Sequence, residues 1–222
     1  MKRSMSDGLS TQLAGSNTTR RGLFKGAAAG AGALALGSAA PTLTTAAQEG
    51  GGGVAIFASA VDIPNIDPAG GHDGAIATPQ KHLYDTLHRH YGNPAQVVPW
   101  LATGHTVSDD AKTWTFTLDP NATFKDGSPV TADAVVYSTQ RIIDLNQGVA
   151  WMFDGILPRD GVTAVDPQTV EFVLETPFAP FLHATTWIFV LNPAEVQANE
   201  KDGDQGQEWL LGNAAGSGPF TI

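Results

Sequence analysis

Cysteine is absent from the 222 residues, and several chemistries go with it: a disulfide framework, a Cys-ligated zinc site, an iron–sulfur cluster and a thiol nucleophile. A lipid-modified N-terminal cysteine is missing as well. Cations are scarce too, with 12 Lys and Arg against 22 Asp and Glu, for a formal net charge of −10. Phosphate neutralisation needs clustered Lys and Arg, so no nucleic-acid partner is expected. What remains is an ordinary 42% hydrophobic fraction, enough for a packed core of one domain or one and a half.

The charge is unevenly spread. Lys2, Arg3, Arg20, Arg21 and Lys25 precede residue 48 with a single acid, Asp7, whereas the rest holds 7 basic against 21 acidic residues, a net −14. A basic head on an acidic body points to a targeting segment. Thr19-Arg20-Arg21-Gly22-Leu23-Phe24-Lys25 precedes an Ala/Gly-rich stretch whose strong hydrophobes are Leu34 and Leu36. Two leucines contribute only roughly −1 kcal/mol to insertion, too little for a spanning helix. The arginine pair resembles a twin-arginine export signal, and Thr45-Ala46-Ala47 suits cleavage before Gln48. Residues 1–47 are therefore expected to be a removed address.

Along the body, Val54 to Ala60 is apolar on both faces and reads as a buried strand. The prolines and glycines between Asp62 and Gly74 read as a loop. Thr78-Pro79 is taken as a helix start, with Ile76, Leu83, Tyr84, Leu87 and Tyr91 at helical spacing and Gly92-Asn93-Pro94 as the stop. Thr113-Trp114-Thr115-Phe116-Thr117-Leu118 alternates strictly, as in an antiparallel strand with one wet face. Asp126-Gly127 marks a turn, Thr131 is expected to cap a helix through Ile142, and Val162–Val165 with Thr169–Glu175 form a hairpin around Asp166-Pro167-Gln168. Pro177 to Thr186 reads as a short helix, Trp187 to Leu191 as a return to the buried sheet, Glu195 as part of an amphipathic stretch, and Phe220 as the opening of a strand. A strand cut off after three residues leads us to expect that the chain continues.

No G-x-S-x-G, H-E-x-x-H, P-loop or G-x-G-x-x-G occurs, so an exported hydrolase has no visible machinery. Asp126, Asp133, Glu171 and Glu175 read as solvated charge. His82, His88 and His90 fall on or near the expected helix without the spacing that aims two rings at one metal, and His105 and His183 stand alone. The aromatics Trp100, Trp114, Trp151, Phe153, Phe178, Phe181 and Trp187 are expected mostly in the core. Trp151-Met152-Phe153 lies outside any periodic pattern, which leaves packing and an exposed binding surface both open.

The ordered motifs Ile66-Asp67-Pro68, Val98-Pro99-Trp100-Leu101-Ala102, Val107-Ser108-Asp109-Asp110, Phe124-Lys125-Asp126-Gly127-Ser128-Pro129-Val130-Thr131-Ala132, Thr176-Pro177-Phe178-Ala179-Pro180-Phe181 and Gly216-Ser217-Gly218-Pro219-Phe220 resemble the bacterial extracellular solute-binding proteins of family 5. The resemblance implies an α/β fold of the periplasmic binding protein type with an extra inserted subdomain. On that plan residues 53–85 and 177–222 are parts of the first lobe, 86–176 the insert, and the second lobe is missing. It further implies capture of short peptides by hinge closure and delivery to an ABC permease and its ATPase, without catalysis or cofactor. The receptor would be a monomer, exported to the periplasm by the twin-arginine translocase and, lacking cysteine, not lipid-anchored. Ligand contacts are carried over to His72, Asp73 and Gly74 after the first strand and to Trp151 and Phe153 beyond the capped helix. A receptor for a nickel chelate, haem or sugar is the alternative on the same fold, with His72 as its best argument.

Overall fold

The computed structural model describes residues 54, 56, 62, 63, 65–71 and 74–222. The chain divides into Met1–Val54 and Ala55–Ile222, and every element below belongs to the second unit. The expected targeting segment 1–47 lies outside the described residues. So does most of the expected strand over 54–60, of which only Val54 and Ile56 are described, both exposed.

The central feature is a four-stranded antiparallel sheet of β3 (Ala102–Val107), β4 (Thr113–Leu118), β5 (Val162–Asp166) and β6 (Thr169–Val173), in the order β3-β4-β6-β5. Its alternation is the one read from the sequence: Trp114, Phe116 and Leu118 are buried on one face with Val170 and Phe172. Trp114 stands opposite Phe172 and Phe116 opposite Val170, so same-face pairs stack across the two central strands. Helix α2 (Ala132–Leu145) lies across β5 and β6. Its Ala134, Val135, Ser138 and Ile142 are buried, and Asn146 ends it in the left-handed region with its N–H on the Ile142 carbonyl. That conformation suits Asn. At the other end Thr131 makes no side-chain cap, contrary to the expectation.

Upstream, α1 (Gly74–Leu83) is shorter and earlier than its periodicity implied. Pro79 sits inside it, and the Thr78 hydroxyl donates to the Gly74 carbonyl. Residues beyond Asp85 are not helical. They form β1 (His88–Tyr91), paired with β2 (Gln96–Pro99) in a separate hairpin, so His88 and His90 leave the helix to which the sequence had assigned them. Pairing between strands overrides a local spacing that Ile76, Leu83, Tyr84 and Leu87 honour by burial and Tyr91, exposed, does not.

After β6 come α3 (Phe181–Ala184) with a 3₁₀ turn through Trp187, then α4 (Pro193–Ala198) and α5 (Gln207–Leu210). Ile188 to Leu191 is buried as expected but joins no strand ladder: it makes one bridge, Thr86 with Phe189, and its Val190 and Leu191 N–H groups donate to the Asp85 carbonyl and the Ser138 hydroxyl. No strand opens at Phe220. The N–H groups of Gly218 and Phe220 instead donate to the Leu83 and His82 carbonyls, satisfying acceptors that α1 leaves free at its C-terminus. A Cβ on Gly216 or Gly218 would overlap those carbonyls, which accounts for glycine at both positions.

Two apolar cores result. One lies under the sheet, where Phe181 meets Phe172 at 5.3 Å and Trp114 at 5.5 Å between ring centroids. The other gathers Ile66, Leu83, Tyr84, Phe189, Leu191, Val196, Leu210 and Ala215.

Candidate functional site

The loop before α1 is fixed by a buried ion pair. Arg141 of α2 donates Nη1 and Nη2 to the two Asp67 oxygens, each at 2.6 Å, and Nε to the Gln205 carbonyl at 2.8 Å. Asp67 is 1% and Arg141 2% exposed, and Asp67 Oδ1 also accepts the Ala69 N–H. Gln80 donates to the carbonyls of Asp67 and Gly71, tying the other end of the loop to α1. The loop rests against Gly148, whose φ is +51° and which has no room for a Cβ beside the Ala69 carbonyl. Gly148 in turn stands three residues before Trp151.

Of the residues carried over from the resemblance, His72 and Asp73 lie outside the described residues. Gly74 opens α1 and is exposed, with nothing within 4 Å of where its Cβ would be. Trp151 is 63% exposed, whereas Phe153, two residues on, is 1% exposed. Trp151 lies in the 3₁₀ turn Ala150–Met152 and Phe153 ends it. Trp151 lines an apolar groove of about 290 Å³ with Met152, Ile156, Phe178, Pro180 and Trp187. Phe153 lines a different cavity of about 360 Å³ with Asp154, Arg159 and Glu175. The charged residues that line that cavity, Asp154, Arg159 and Glu175, are all exposed, and Arg159 turns to Asp144 in a solvent-facing pair. Trp100, expected in the core, is likewise half-exposed. It lies 4.0 Å from the Arg89 guanidinium, ring centroid to Cζ, and donates Nε1 to Asp85 at 2.6 Å.

Asp85 explains why several motifs occur together. It accepts from Trp100, Arg89 and Ser217, so the Val-Pro-Trp and Gly-Ser-Gly-Pro-Phe segments meet at one carboxylate. Asp126 binds the Ser128 N–H and hydroxyl and the Asn192 amide, while the Asn192 carbonyl oxygen caps α4. These residues join segments distant in sequence. The Ser217 hydroxyl thus donates to the same carboxylate that holds Trp100 and Arg89.

The groove's rim carries a feature that sequence spacing did not reveal. His90 Nε2 and His183 Nδ1 are 3.2 Å apart although 93 residues separate them in the chain. Burial, and then the neighbouring His183 and Lys81, hold His90 below the ordinary imidazole value. The Lys81 ammonium sits 5.2 Å from the Trp187 ring centroid. His88 is buried, bonds Thr185 through Nδ1 at 3.0 Å and leaves Nε2 without a partner. Burial, and then His105, lower its pKa to about 4. Among the described residues no group of three or more His, Asp or Glu is placed to hold a metal ion, and no helix is long and apolar enough to cross a membrane.

Residues 96–222 match the family model of the bacterial extracellular solute-binding proteins, family 5 Middle. The chain is 45% identical over 125 residues to the probable D,D-dipeptide-binding periplasmic protein DdpA of Escherichia coli K12, covering 55% of this chain and 23% of that protein. It is 35% identical over 178 residues to the periplasmic murein peptide-binding protein MppA of the same organism, covering 71% and 31%. The solved structure of the Escherichia coli murein tripeptide binding protein MppA superposes with a TM-score of 0.60 at 29% identity, covering 72% of this chain and 33% of that one. The chain thus spans about a quarter to a third of these relatives, and its mixed α/β fold is the one they share.

Proposed function

Because the chain belongs to the bacterial extracellular solute-binding proteins of family 5, we propose that it is the receptor of an ABC importer, taking up short peptides and passing them to a permease and its ATPase. It binds in the periplasm as a monomer and catalyses nothing. The observation that carries this reading is the exposed Trp151 ring, set on the turn that also receives the ion-paired loop before α1. A rigid aromatic face beside loop backbone suits a peptide, whose main chain supplies the same hydrogen-bonding groups whatever its side chains. Such recognition gives affinity with broad sequence tolerance.

The ligand contacts of this reading are His72, Asp73, Gly74 and Trp151. Phe153, being buried, would support the turn and not touch solute. The division into first-lobe segments 53–85 and 177–222 and an insert at 86–176 is supported by the second core, whose buried members all fall in the two lobe segments. Calorimetry of the purified protein with di-, tri- and oligopeptides tests the function. Micromolar or tighter binding, weakened at least tenfold in Trp151→Ala, is expected; no heat with any peptide would overturn it.

A further inference from the structure

We propose that His90 and His183 form a bidentate seat for a divalent transition-metal ion at the rim of the Trp151–Trp187 groove. One nitrogen comes from β1 and the other from α3, elements positioned by the packed cores and not by a flexible tail. Two ring nitrogens that each lie 2.0–2.1 Å from one ion and subtend 90–109° at it are separated by about 2.8–3.4 Å. The observed 3.2 Å falls inside that interval. Without metal, the same separation is spanned by a ring N–H of one histidine and the lone pair of the other, so the pair is already drawn together before an ion arrives. Both rings are exposed at their rim and are tilted by 33° to each other. Modest rotation about χ2, a soft torsion for imidazole, brings both lone pairs onto a common point off the N···N line.

Imidazole pairs favour Cu²⁺, Ni²⁺ and Zn²⁺ over the oxygen-seeking Mg²⁺ and Ca²⁺. Two protein ligands leave at least two positions open, to be filled by water or by amine and carboxylate donors of a small solute. The nearest cation, Lys81, is held over Trp187 on the same groove and opposes the ion, so the seat is of moderate strength and Lys81→Gln strengthens it. Trp151 and Trp187 line the groove beside both histidines and are placed to report a paramagnetic ion by quenching.

The experiment titrates Cu²⁺, Ni²⁺, Zn²⁺ and Mg²⁺ chlorides into untagged protein, read by tryptophan fluorescence for the paramagnetic ions and by calorimetry for all four. Saturable 1:1 binding in the order Cu²⁺ > Ni²⁺ or Zn²⁺, with none for Mg²⁺, is expected. His90→Ala and His183→Ala should each weaken it at least about tenfold, because either change removes the chelate. Lys81→Gln should tighten it a few-fold at low salt, and His82→Ala should leave it unchanged. Since both histidines are exposed, circular dichroism should show the variants folded. Binding as tight in the His90→Ala and His183→Ala variants as in the unaltered protein, or only non-stoichiometric uptake, would overturn the assignment, whatever the peptide titrations give.

Discussion

Replacing Arg141 by methionine removes the guanidinium while keeping much of its stem. The structure then leaves the Asp67 carboxylate, at 1% exposure, with one neutral donor to that side chain, the Ala69 N–H. Breaking a buried pair by deleting one partner costs about 3–5 kcal/mol, because the remaining charge is stranded away from water. A typical domain has only about 5–15 kcal/mol in hand, so the urea midpoint should fall steeply with little change in slope. The further change Asp67→Asn removes the stranded charge, and the double variant should regain a large part of the loss. The two single effects should therefore be strongly non-additive. Peptide affinity provides a second readout, since the loop that Asp67 anchors rests on Gly148, three residues from Trp151. An Arg141→Met cost below about 1 kcal/mol, or additivity across the cycle, would refute the claim that this pair holds the loop.

Gly148→Ala should destabilise by about 1–3 kcal/mol in the same urea assay, as alanine meets both a φ of +51° and the Ala69 carbonyl. Peptide binding should weaken with it, because the loop must move. His88 makes stability pH-dependent: its folded value near 4 lies below the ordinary 6.5, so between those values the unfolded chain takes up a proton that the folded one refuses. Stability should fall as pH drops through that window, by at most about 1.4 kcal/mol per unit, and gain nothing from this group above it. His88→Asn should flatten that part of the acid-unfolding curve. If residues 1–47 are an export address, changing Arg20 and Arg21 together to lysine should retain the protein in the cytoplasm, as fractionation would show.

The proposed peptide contacts were legible in the sequence only through the resemblance, and unevenly. Trp151 stood out because it follows a helix end without periodic context, and it is the exposed ring. Phe153 shared that context yet is buried, because a 3₁₀ turn separates residues two apart by most of a turn's rotation. Trp100 was misassigned for the converse reason: its ring is held at the surface by Arg89 and Asp85, partners that hydrophobic patterning does not register. The meeting of His90 with His183 left no local signal at all.

Local pattern was sufficient wherever an element's own residues decide its form. The Trp114–Phe116–Leu118 alternation, the hairpin around Pro167 and the amphipathic face of α2 each bury one side by their own periodicity. Tertiary structure alone decided what depends on segments closing over long loops: β1 with β2 in place of a longer helix, Asp67 with Arg141 across 74 residues, and Asp85 with Ser217 across 132. Those contacts rest on polar groups that must be paired once buried, and a one-dimensional pattern does not say which partner folding will bring.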